Sequence, residues 1–260
     1  MKNLIYQYWD GNYNRSGVVA GVKAMKKYAD TIGAEYIFEA NPEYAKSLGF
    51  NFGQYTPHYG AFKPILQGWD YDNILFADTD VFPVHDLKQS IFEENFAGIG
   101  ICRERWQTLN KPAHLRETDK RWAKVVEDRY DIEIPKDEFG NVIIYNSGVV
   151  LYSRYGIELA QKHFVKFDEY VGLVGGKFPA FYNCDQLYLH AMMMKKGMQW
   201  SELNEDWNRY VHYLPETSDP RPVNDTRTET TKFVHIQLRG ADDWSEEKLW
   251  RVTNRPQAEW

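Results

Sequence analysis

The sequence predicts an α/β fold in which βαβ units build the first half of the chain. Residues 3–9 (NLIYQYW) have the composition of a strand, and an amphipathic helix is expected to begin near Ser16. A second strand is expected over 35–39, a helix over 59–67, and a strand buried on both faces over the apolar run 74–77 (ILFA). Because βαβ connections are right-handed, this order predicts a Rossmann-like sheet with helices on both faces.

The second half of the chain is predicted to add helices and two more strands. The expected elements are helices over 119–130, over about 156–170 and from Asp185 onward, and strands over 141–154 and 232–238. Gly148 lies in the middle of the first of these strands, where a glycine indicates either a bulge or the close approach of a ligand. Residues 215–231 are polar and turn-forming, which predicts a long surface loop.

Composition excludes several classes of protein. With 260 residues, 43% hydrophobic and 26% charged, the chain is expected to form a compact core. Its net charge of −6 argues against a nucleic-acid partner. No run of about 18 apolar residues occurs, and the first apolar segment is too short for a signal peptide, so we expect no transmembrane segment and a cytoplasmic location. Cys102 and Cys184 lack metal-site spacing and are expected to be reduced structural thiols.

Two aspartates at the end of the apolar run carry the strongest functional signal. Asp78 and Asp80 are separated only by Thr79, and in an extended segment residues two apart point to the same side. Two like charges at that distance repel each other unless a cation lies between them, which indicates a divalent metal. The carboxyl edge of an α/β sheet is also where ligands bind. The alternative is a plain loop with a helix cap at Asp86.

Two further observations bear on the ligand. Aromatic residues make up 16% of the chain, including 9 Trp and 18 Tyr, and flat amphipathic rings suit the apolar faces of sugars, although they also fill ordinary cores. The loop after the first strand, residues 10–17 (DGNYNRSG), contains neither G-x-G-x-x-G nor G-x-x-x-x-G-K-[ST]. The sequence therefore disfavours a dinucleotide dehydrogenase and a P-loop enzyme.

Four short patches occur in a characteristic order. They are D-T-D at 78–80, N-S-G at 146–148, D-Q at 185–186, and the strand histidine His235 followed by a glycine and a tryptophan. Together they resemble the glycosyltransferases of the GT-A fold, especially the glycogenin-like retaining family. The resemblance implies a central mixed, mostly parallel sheet flanked by helices in a single domain over 1–260. Residues 1–100 would bind the nucleotide sugar, and residues 101–260 the acceptor.

The resemblance also implies roles for individual residues. Asp78, Asp80 and His235 would hold Mn²⁺ or Mg²⁺ on the diphosphate of the donor, and the imidazole favours Mn²⁺. The residues expected around the donor sugar and its anomeric carbon are Asn146, Asp185 and Gln186. Asp185 would act as general base if the reaction inverts configuration, and would support an oxocarbenium-like centre if it retains it. Both outcomes stay open.

The donor is expected to be a nucleotide sugar, with UDP-sugar favoured by the resemblance, and the acceptor a carbohydrate or glycoconjugate hydroxyl. The donor-contacting residues are expected to be Tyr6, Gln7, Tyr8, Lys63, Asp78, Thr79, Asp80, Ser147, Gly148, Arg239, Gly240 and Lys248. The chain departs from the family ending H-x-x-G-x-x-K-P-W, because it reads HIQLRGADDW, and Arg239 or Lys248 would replace the missing lysine. Leu187 stands where the family has a second acid. The oligomeric state is not indicated.

Two alternatives to a transferase remain. Phosphohydrolases of the haloacid dehalogenase type also place D-x-D after an apolar strand, and Asp242 with Asp243 could imitate their second acidic pair. Against this class, about seventy residues precede the motif, and Val81 and Phe82 replace the usual Gly-Thr. The other alternative is a metal-dependent carbohydrate-binding protein without catalytic activity.

Overall fold

Two β-sheets organise the protein. The computed structural model describes residues 1–9, 14–40, 60–104, 111–212, 224–237 and 243–260. The strands in these ranges are β1 Asn3–Trp9, β2 Glu35–Ala40, β3 Asn73–Ala77, β4 Val81–Pro83, β5 Ile99–Arg103, β6 Tyr145–Ser153, β7 Trp200–Leu203, β8 Arg209–His212, β9 Asn224–Asp225 and β10 Phe233–Ile236. A six-stranded sheet has the order β2-β1-β3-β6-β5-β7, and a four-stranded sheet has the order β4-β10-β8-β9.

The six-stranded sheet is mixed and mostly parallel, as the sequence predicts. Strand β1 pairs in parallel with β2 and β3, and β5 pairs in parallel with β7. Strand β6 is antiparallel to both of its neighbours, β3 and β5, so it alone runs against the other five. In β3 the side chains of Ile74 and Phe76 enter one core, while those of Leu75 and Ala77 enter the core on the opposite face. This explains why the whole strand is apolar.

Helices cover both faces of this sheet. The α-helices in the described ranges are α1 Ser16–Ile32, α2 Lys63–Gln67, α3 Ala113–Tyr130, α4 Arg154–His163, α5 Phe167–Val174, α6 Asp185–Met193 and α7 Glu246–Asn254. Helix α1 packs Met25 and Ala29 into the core on one face, while α3 and α6 pack Trp122 and Leu189 into the core on the other. A third, smaller core lies between α1, α7 and the four-stranded sheet. None of the described helices is both long and apolar enough to cross a bilayer. The expected cytoplasmic location stays a prediction.

Three details differ from or refine the sequence predictions. The single helix expected over 156–170 is wrong, because α4 ends at His163 and α5 begins at Phe167. At the break Phe164 and Lys166 have extended backbone (ψ 137° and 146°), and the Val165 carbonyl between them accepts a hydrogen bond from the Tyr188 hydroxyl (2.6 Å). The helix expected over 119–130 begins earlier, at Ala113, with Pro112 at its N-cap position. Of the two alternatives at Gly148, the structure shows a bulge, because the β5–β6 register shifts between the pairs Ile101–Val150 and Cys102–Asn146, which flank it.

The two cysteines and the long surface loop complete the comparison. Cys102 and Cys184 are buried and free, and burial raises the pKa of both thiols. Of the loop predicted over 215–231, residues 215–223 lie outside the described residues, while the short strand β9 falls within the remainder.

Candidate active site

The D-T-D segment lies where the two sheets meet. It leaves β3 at the carboxyl end of the strand, and the Asp78 amide donates to the Gly148 carbonyl of β6 (2.8 Å). On the other side, the Ile236 amide of β10 donates to the Asp80 carbonyl (2.9 Å). The backbone on both sides of Thr79 is therefore fixed by a different sheet, which limits how far the two carboxylates can separate.

The three predicted metal ligands come together at this point. Asp78, Asp80 and His235 each offer one ligand atom, and these atoms all lie within 4.8 Å of one another. His235 Nε2 is 3.2 Å from Asp80 Oδ1. The His235 side chain is buried, whereas the Asp80 side chain is 45% exposed, so the cluster opens on the carboxylate side.

The electrostatics of the cluster fit a divalent cation. Burial and the neighbouring Asp80 carboxylate raise the pKa of Asp78 well above its ordinary value, the Asp185 carboxylate adds to this rise, and His235 opposes it. Burial lowers the pKa of His235, but the Asp80 and Asp78 carboxylates outweigh burial and raise it. A bound cation would relieve the repulsion between the two carboxylates. Two carboxylate oxygens and one imidazole are a donor set that suits Mg²⁺ or Mn²⁺.

A buried glutamine supports the first aspartate from behind. Gln7 of β1 is fully buried, and its Nε2 donates to the Asp78 carbonyl (2.9 Å). The Tyr36 hydroxyl of β2 donates to Gln7 Oε1 (2.8 Å). Both ends of the Gln7 amide are thus occupied within the protein. The expected contact of Gln7 with the donor stays a prediction, and its side chain contacts Asp78 and Tyr36.

Helix α1 also touches the D-T-D segment. A Cβ atom added to Gly21 would fall far inside van der Waals contact of the Thr79 carbonyl oxygen, so the backbone of the helix packs directly on this carbonyl. By contrast, a Cβ added to Gly172 in α5 would meet nothing within 4 Å. The two helical glycines form a matched pair for mutation.

We expect Gly21→Ala to destabilise the fold by about 1–3 kcal/mol, because the added methyl group overpacks a backbone contact. Gly172→Ala should instead stabilise it by roughly 0.5–1 kcal/mol, since alanine loses less backbone entropy in a helix. Urea unfolding of both variants tests this. Equal effects of the two substitutions would contradict the close approach of α1 to Thr79.

Three polar side chains form a buried network beside the cation cluster. Asn146 of β6 donates through Nδ2 to Gln186 Oε1 (3.1 Å) and to Glu104 Oε2 (3.3 Å). Gln186 Nε2 donates to the same Glu104 oxygen (3.4 Å). The Gly148 amide in turn donates to Asn146 Oδ1 (2.8 Å). The structure therefore brings Asn146 and Gln186 together, and their expected role at the donor sugar stays a prediction.

Glu104 belongs to this network, and the sequence analysis did not single it out. Its side chain is fully buried, and it follows β5 directly, at the end of the run IGICR. The signal in the sequence was an acid at the carboxyl end of an apolar strand, the same pattern that identifies Asp78. Asp185 begins α6 and is buried, and its charge contributes to the raised pKa of Asp78.

The other residues that were expected to contact the donor have different surroundings in the structure, and their contact with the donor stays a prediction. The Tyr6 hydroxyl donates to Glu39 Oε2 (2.6 Å), and the buried Lys63 ammonium forms an ion pair with the same carboxylate. Lys248 lies on α7 with its ammonium over the Trp244 ring, 3.4 Å from the ring centre. Among the other predicted residues, the buried ones are Tyr8, Thr79 and Ser147. Arg239, Gly240 and Asp242 lie outside the described residues.

The fold around this site is that of known glycosyltransferases. A solved structure of the galactosyltransferase LgtC in complex with donor and acceptor sugar analogs matches with a TM-score of 0.57 and 15% identity, over 98% of each chain. A structure of the active-site mutant of LgtC in which glutamine is replaced by glutamate matches with a TM-score of 0.55 and 14% identity, also over 98% of each chain. Mouse xyloside xylosyltransferase 1 matches with a TM-score of 0.52 and 12% identity, over 90% of this chain and 97% of that one.

The protein therefore has the GT-A fold, with an acidic cluster and a histidine at the carboxyl edge of its sheet. The sequence matches no protein-family model and none of the curated proteins with which it was compared. Membership of the glycogenin-like family stays a prediction.

Proposed function

We propose that the protein is a metal-dependent glycosyltransferase that moves a sugar from a nucleotide-diphosphate sugar, with UDP-sugar the expected donor, to a hydroxyl group of a carbohydrate or glycoconjugate. One observation carries the proposal. The cluster of Asp78, Asp80 and His235 lies next to the network of Glu104, Asn146 and Gln186 at one edge of a GT-A sheet. A nucleotide sugar needs a cation site for its diphosphate and polar side chains for its sugar, and the two must be adjacent because the groups are bonded to each other.

The cation cluster accounts for the leaving group. Asp78, Asp80 and His235 would hold a Mg²⁺ or Mn²⁺ ion, which when bound neutralises the negative charge that develops on the diphosphate as the anomeric C–O bond breaks. The protein's own contribution is to hold the ligands together, through the hydrogen bonds of the Asp78 backbone with Gly148 and Gln7 and of the Asp80 carbonyl with the Ile236 amide, which adjoins His235. These contacts fix the ligands before the donor arrives, which lowers the cost of ordering them.

The neighbouring network accounts for the sugar. The amides of Asn146 and Gln186 are placed to orient sugar hydroxyls, and the buried carboxylates of Glu104 and Asp185 to favour positive charge at the anomeric carbon. If the reaction inverts configuration, Asp185 would accept the proton of the acceptor hydroxyl. That a glutamine belongs to the active site of LgtC supports a role for Gln186 at the reacting centre.

The chain provides these groups from both of its halves. Residues 1–100 contribute Asp78 and Asp80, and we propose that they bind most of the nucleotide sugar. Residues 101–260 contribute Glu104, Asn146 and His235, and we propose that they complete the metal site and bind the acceptor in a single domain over 1–260.

Binding and turnover measurements test the proposal. In thermal-shift screening with Mn²⁺ and UDP, GDP or their sugars, the correct ligand at a hundred times its dissociation constant should stabilise the protein by about 2.7 kcal/mol. The chain should then release nucleoside diphosphate from the matching sugar nucleotide only when Mn²⁺ or Mg²⁺ is present.

The same assay distinguishes the alternatives. Release of inorganic phosphate instead would indicate a phosphohydrolase, and stabilisation by sugars without any release would indicate a carbohydrate-binding protein. If no nucleotide shifts the melting temperature in the presence of the metal, the proposed function is wrong.

A further inference from the structure

A buried asparagine connects the cation cluster with the sugar-facing network. Asn208 lies just before β8 and is 1% exposed. Its Nδ2 is 3.0 Å from Asn146 Oδ1, and its Oδ1 is 3.1 Å from His235 Nδ1. Asn208 is therefore the link between a predicted metal ligand and a residue predicted to lie at the donor sugar.

The orientation of the Asn208 amide follows from a backbone group. The Gly148 amide donates to Asn146 Oδ1, and a backbone N–H is always a donor, so the oxygen of Asn146 is identified as the acceptor. Asn208 must then turn its NH₂ group toward that oxygen. Its own carbonyl oxygen consequently faces His235, and because a carbonyl oxygen only accepts, His235 Nδ1 carries a proton.

This proton determines which nitrogen of His235 is available to a metal. In the neutral ring, a proton on Nδ1 leaves the lone pair on Nε2, and Nε2 is the atom that faces Asp80. Contacts with neighbouring residues also restrict the orientation of the His235 ring. Tyr210 packs against it with the ring centres 5.3 Å apart, and a Cβ added to Gly148 would collide with it.

We propose that Asn208 is a positioning residue that holds His235 in the Nδ1-protonated form and so presents Nε2 to the cation. The inference rests on the proposed metal-dependent function. Outer partners of this kind, which bind the second nitrogen of a ligating histidine, typically change metal affinity by about 10–100-fold when they are removed. Through Asn146, the same asparagine ties the ligand's orientation to the network that faces the donor sugar.

Mn²⁺ binding to the metal-free protein, followed by electron paramagnetic resonance of the free ion, tests the inference without any transferase assay. Asn208→Leu keeps the approximate volume but removes both hydrogen bonds, and it should raise the dissociation constant for Mn²⁺ by about 10–100-fold. Asn208→Asp loses the donor to Asn146 Oδ1 but keeps an oxygen acceptor for the Nδ1 proton, so it should bind Mn²⁺ within a few-fold of the wild-type chain or more tightly.

A buried asparagine elsewhere in the same sheet provides the control. Asn73 begins β3, at the end opposite to Asp78, and its Nδ2 donates to Asn3 Oδ1 (3.0 Å). Asn73→Leu should lower the melting temperature and leave the dissociation constant for Mn²⁺ unchanged. A general loss of stability would therefore be separated from a specific effect on the metal.

The outcomes separate this inference from the proposed function. If the wild-type chain does not bind Mn²⁺, the metal site is wrong and the inference falls with it. If the wild-type chain binds Mn²⁺ and folded Asn208→Leu binds it equally well, only the inference is overturned. Should Asn208→Leu not fold, Asn208→Asp decides alone, because a tenfold or greater loss of affinity in that variant contradicts the positioning role.

Discussion

Replacing Asp78 with Asn is expected to remove most of the activity while stabilising the metal-free chain. The substitution deletes one of the two carboxylate ligands, and we expect the rate of transfer to fall roughly 10³-fold, which corresponds to about 4 kcal/mol of transition-state stabilisation. The same substitution should, in contrast, raise the free energy of unfolding of the metal-free chain. Burial and the Asp80 carboxylate raise the pKa of Asp78, so its ionised form opposes folding at neutral pH.

The pH dependence of this effect follows from its sign. The folded chain holds the Asp78 proton more tightly than the unfolded chain does, so the stability contributed by this group is fully present below its unfolded pKa of 3.8 and is lost as the pH rises through the raised folded pKa. Asparagine carries no such charge. We therefore expect the melting temperature of metal-free Asp78→Asn at pH 7 to exceed that of the wild type, by about 2–4 °C for each kcal/mol relieved.

Asp72 provides the matched control, because it lies just before the same strand and its environment acts in the opposite direction. A hydrogen bond from the Lys2 amide lowers the pKa of Asp72. Asp72→Asn should therefore keep the transferase rate and lower or leave unchanged the melting temperature. The comparison needs the melting temperatures of both variants without metal and their rates of nucleoside diphosphate release. A fully active Asp78→Asn variant would contradict the assigned site.

The second large effect concerns His190, a buried histidine of α6 outside the candidate site. Its ring lies between Trp122 and Tyr145, with ring centres 5.5 and 5.2 Å away, and neither ring nitrogen has a hydrogen-bond partner among the described residues. Burial lowers the pKa of His190 from 6.5 to about 3. The residue is therefore neutral in the folded chain across the ordinary working range of pH.

This burial makes stability depend on pH. Below pH 6.5 the unfolded chain binds a proton at His190 that the folded chain does not, so stability falls as the pH falls from 6.5 toward 3. The slope is about 1.4 kcal/mol per pH unit, and roughly 2 kcal/mol is lost by pH 5. In His190→Leu this contribution should be absent, and the variant should also be more stable at pH 7, because two unpartnered buried nitrogens are removed.

Urea unfolding at pH 7.5 and pH 5.0 measures the difference. His114→Leu is the control, since His114 is an exposed histidine on α3. That substitution should leave the pH dependence close to that of the wild type. If His190→Leu loses as much stability between the two pH values as the wild type does, the neutral buried histidine is not the cause.

The parts of the site that could be predicted from sequence are those with a local pattern. An apolar run followed by Asp78 and Asp80 encodes both a buried strand and the place where two carboxylates emerge. Gly148 in the middle of a strand likewise indicated the irregularity that the β5–β6 pairing shows. In each case the information lies within a few consecutive residues, so no tertiary contact had to be known.

The parts that could not be predicted depend on contacts between distant segments. Glu104 and Asn208 are single polar residues that reach Asn146 only through strand pairing and the packing of the two sheets. The ion pair of the Lys63 ammonium with Glu39, which lies near the end of a strand 24 residues earlier, is a second contact of this kind, while the expected contact of Lys63 with the donor stays a prediction. Between α4 and α5 the Val165 carbonyl likewise accepts a hydrogen bond from the Tyr188 hydroxyl of α6, a contact that no local propensity reveals.

The attachment of the D-T-D segment to both sheets has a mechanical consequence. The Asp78 amide donates to Gly148 of the six-stranded sheet, and the Asp80 carbonyl accepts from Ile236 of the four-stranded sheet. A divalent cation bound by Asp78, Asp80 and His235 would connect the two sheets at this position. Cation binding would therefore also stabilise the packing of the two sheets against each other. Conversely, a substitution that weakens either sheet at this position would lower the affinity for the cation.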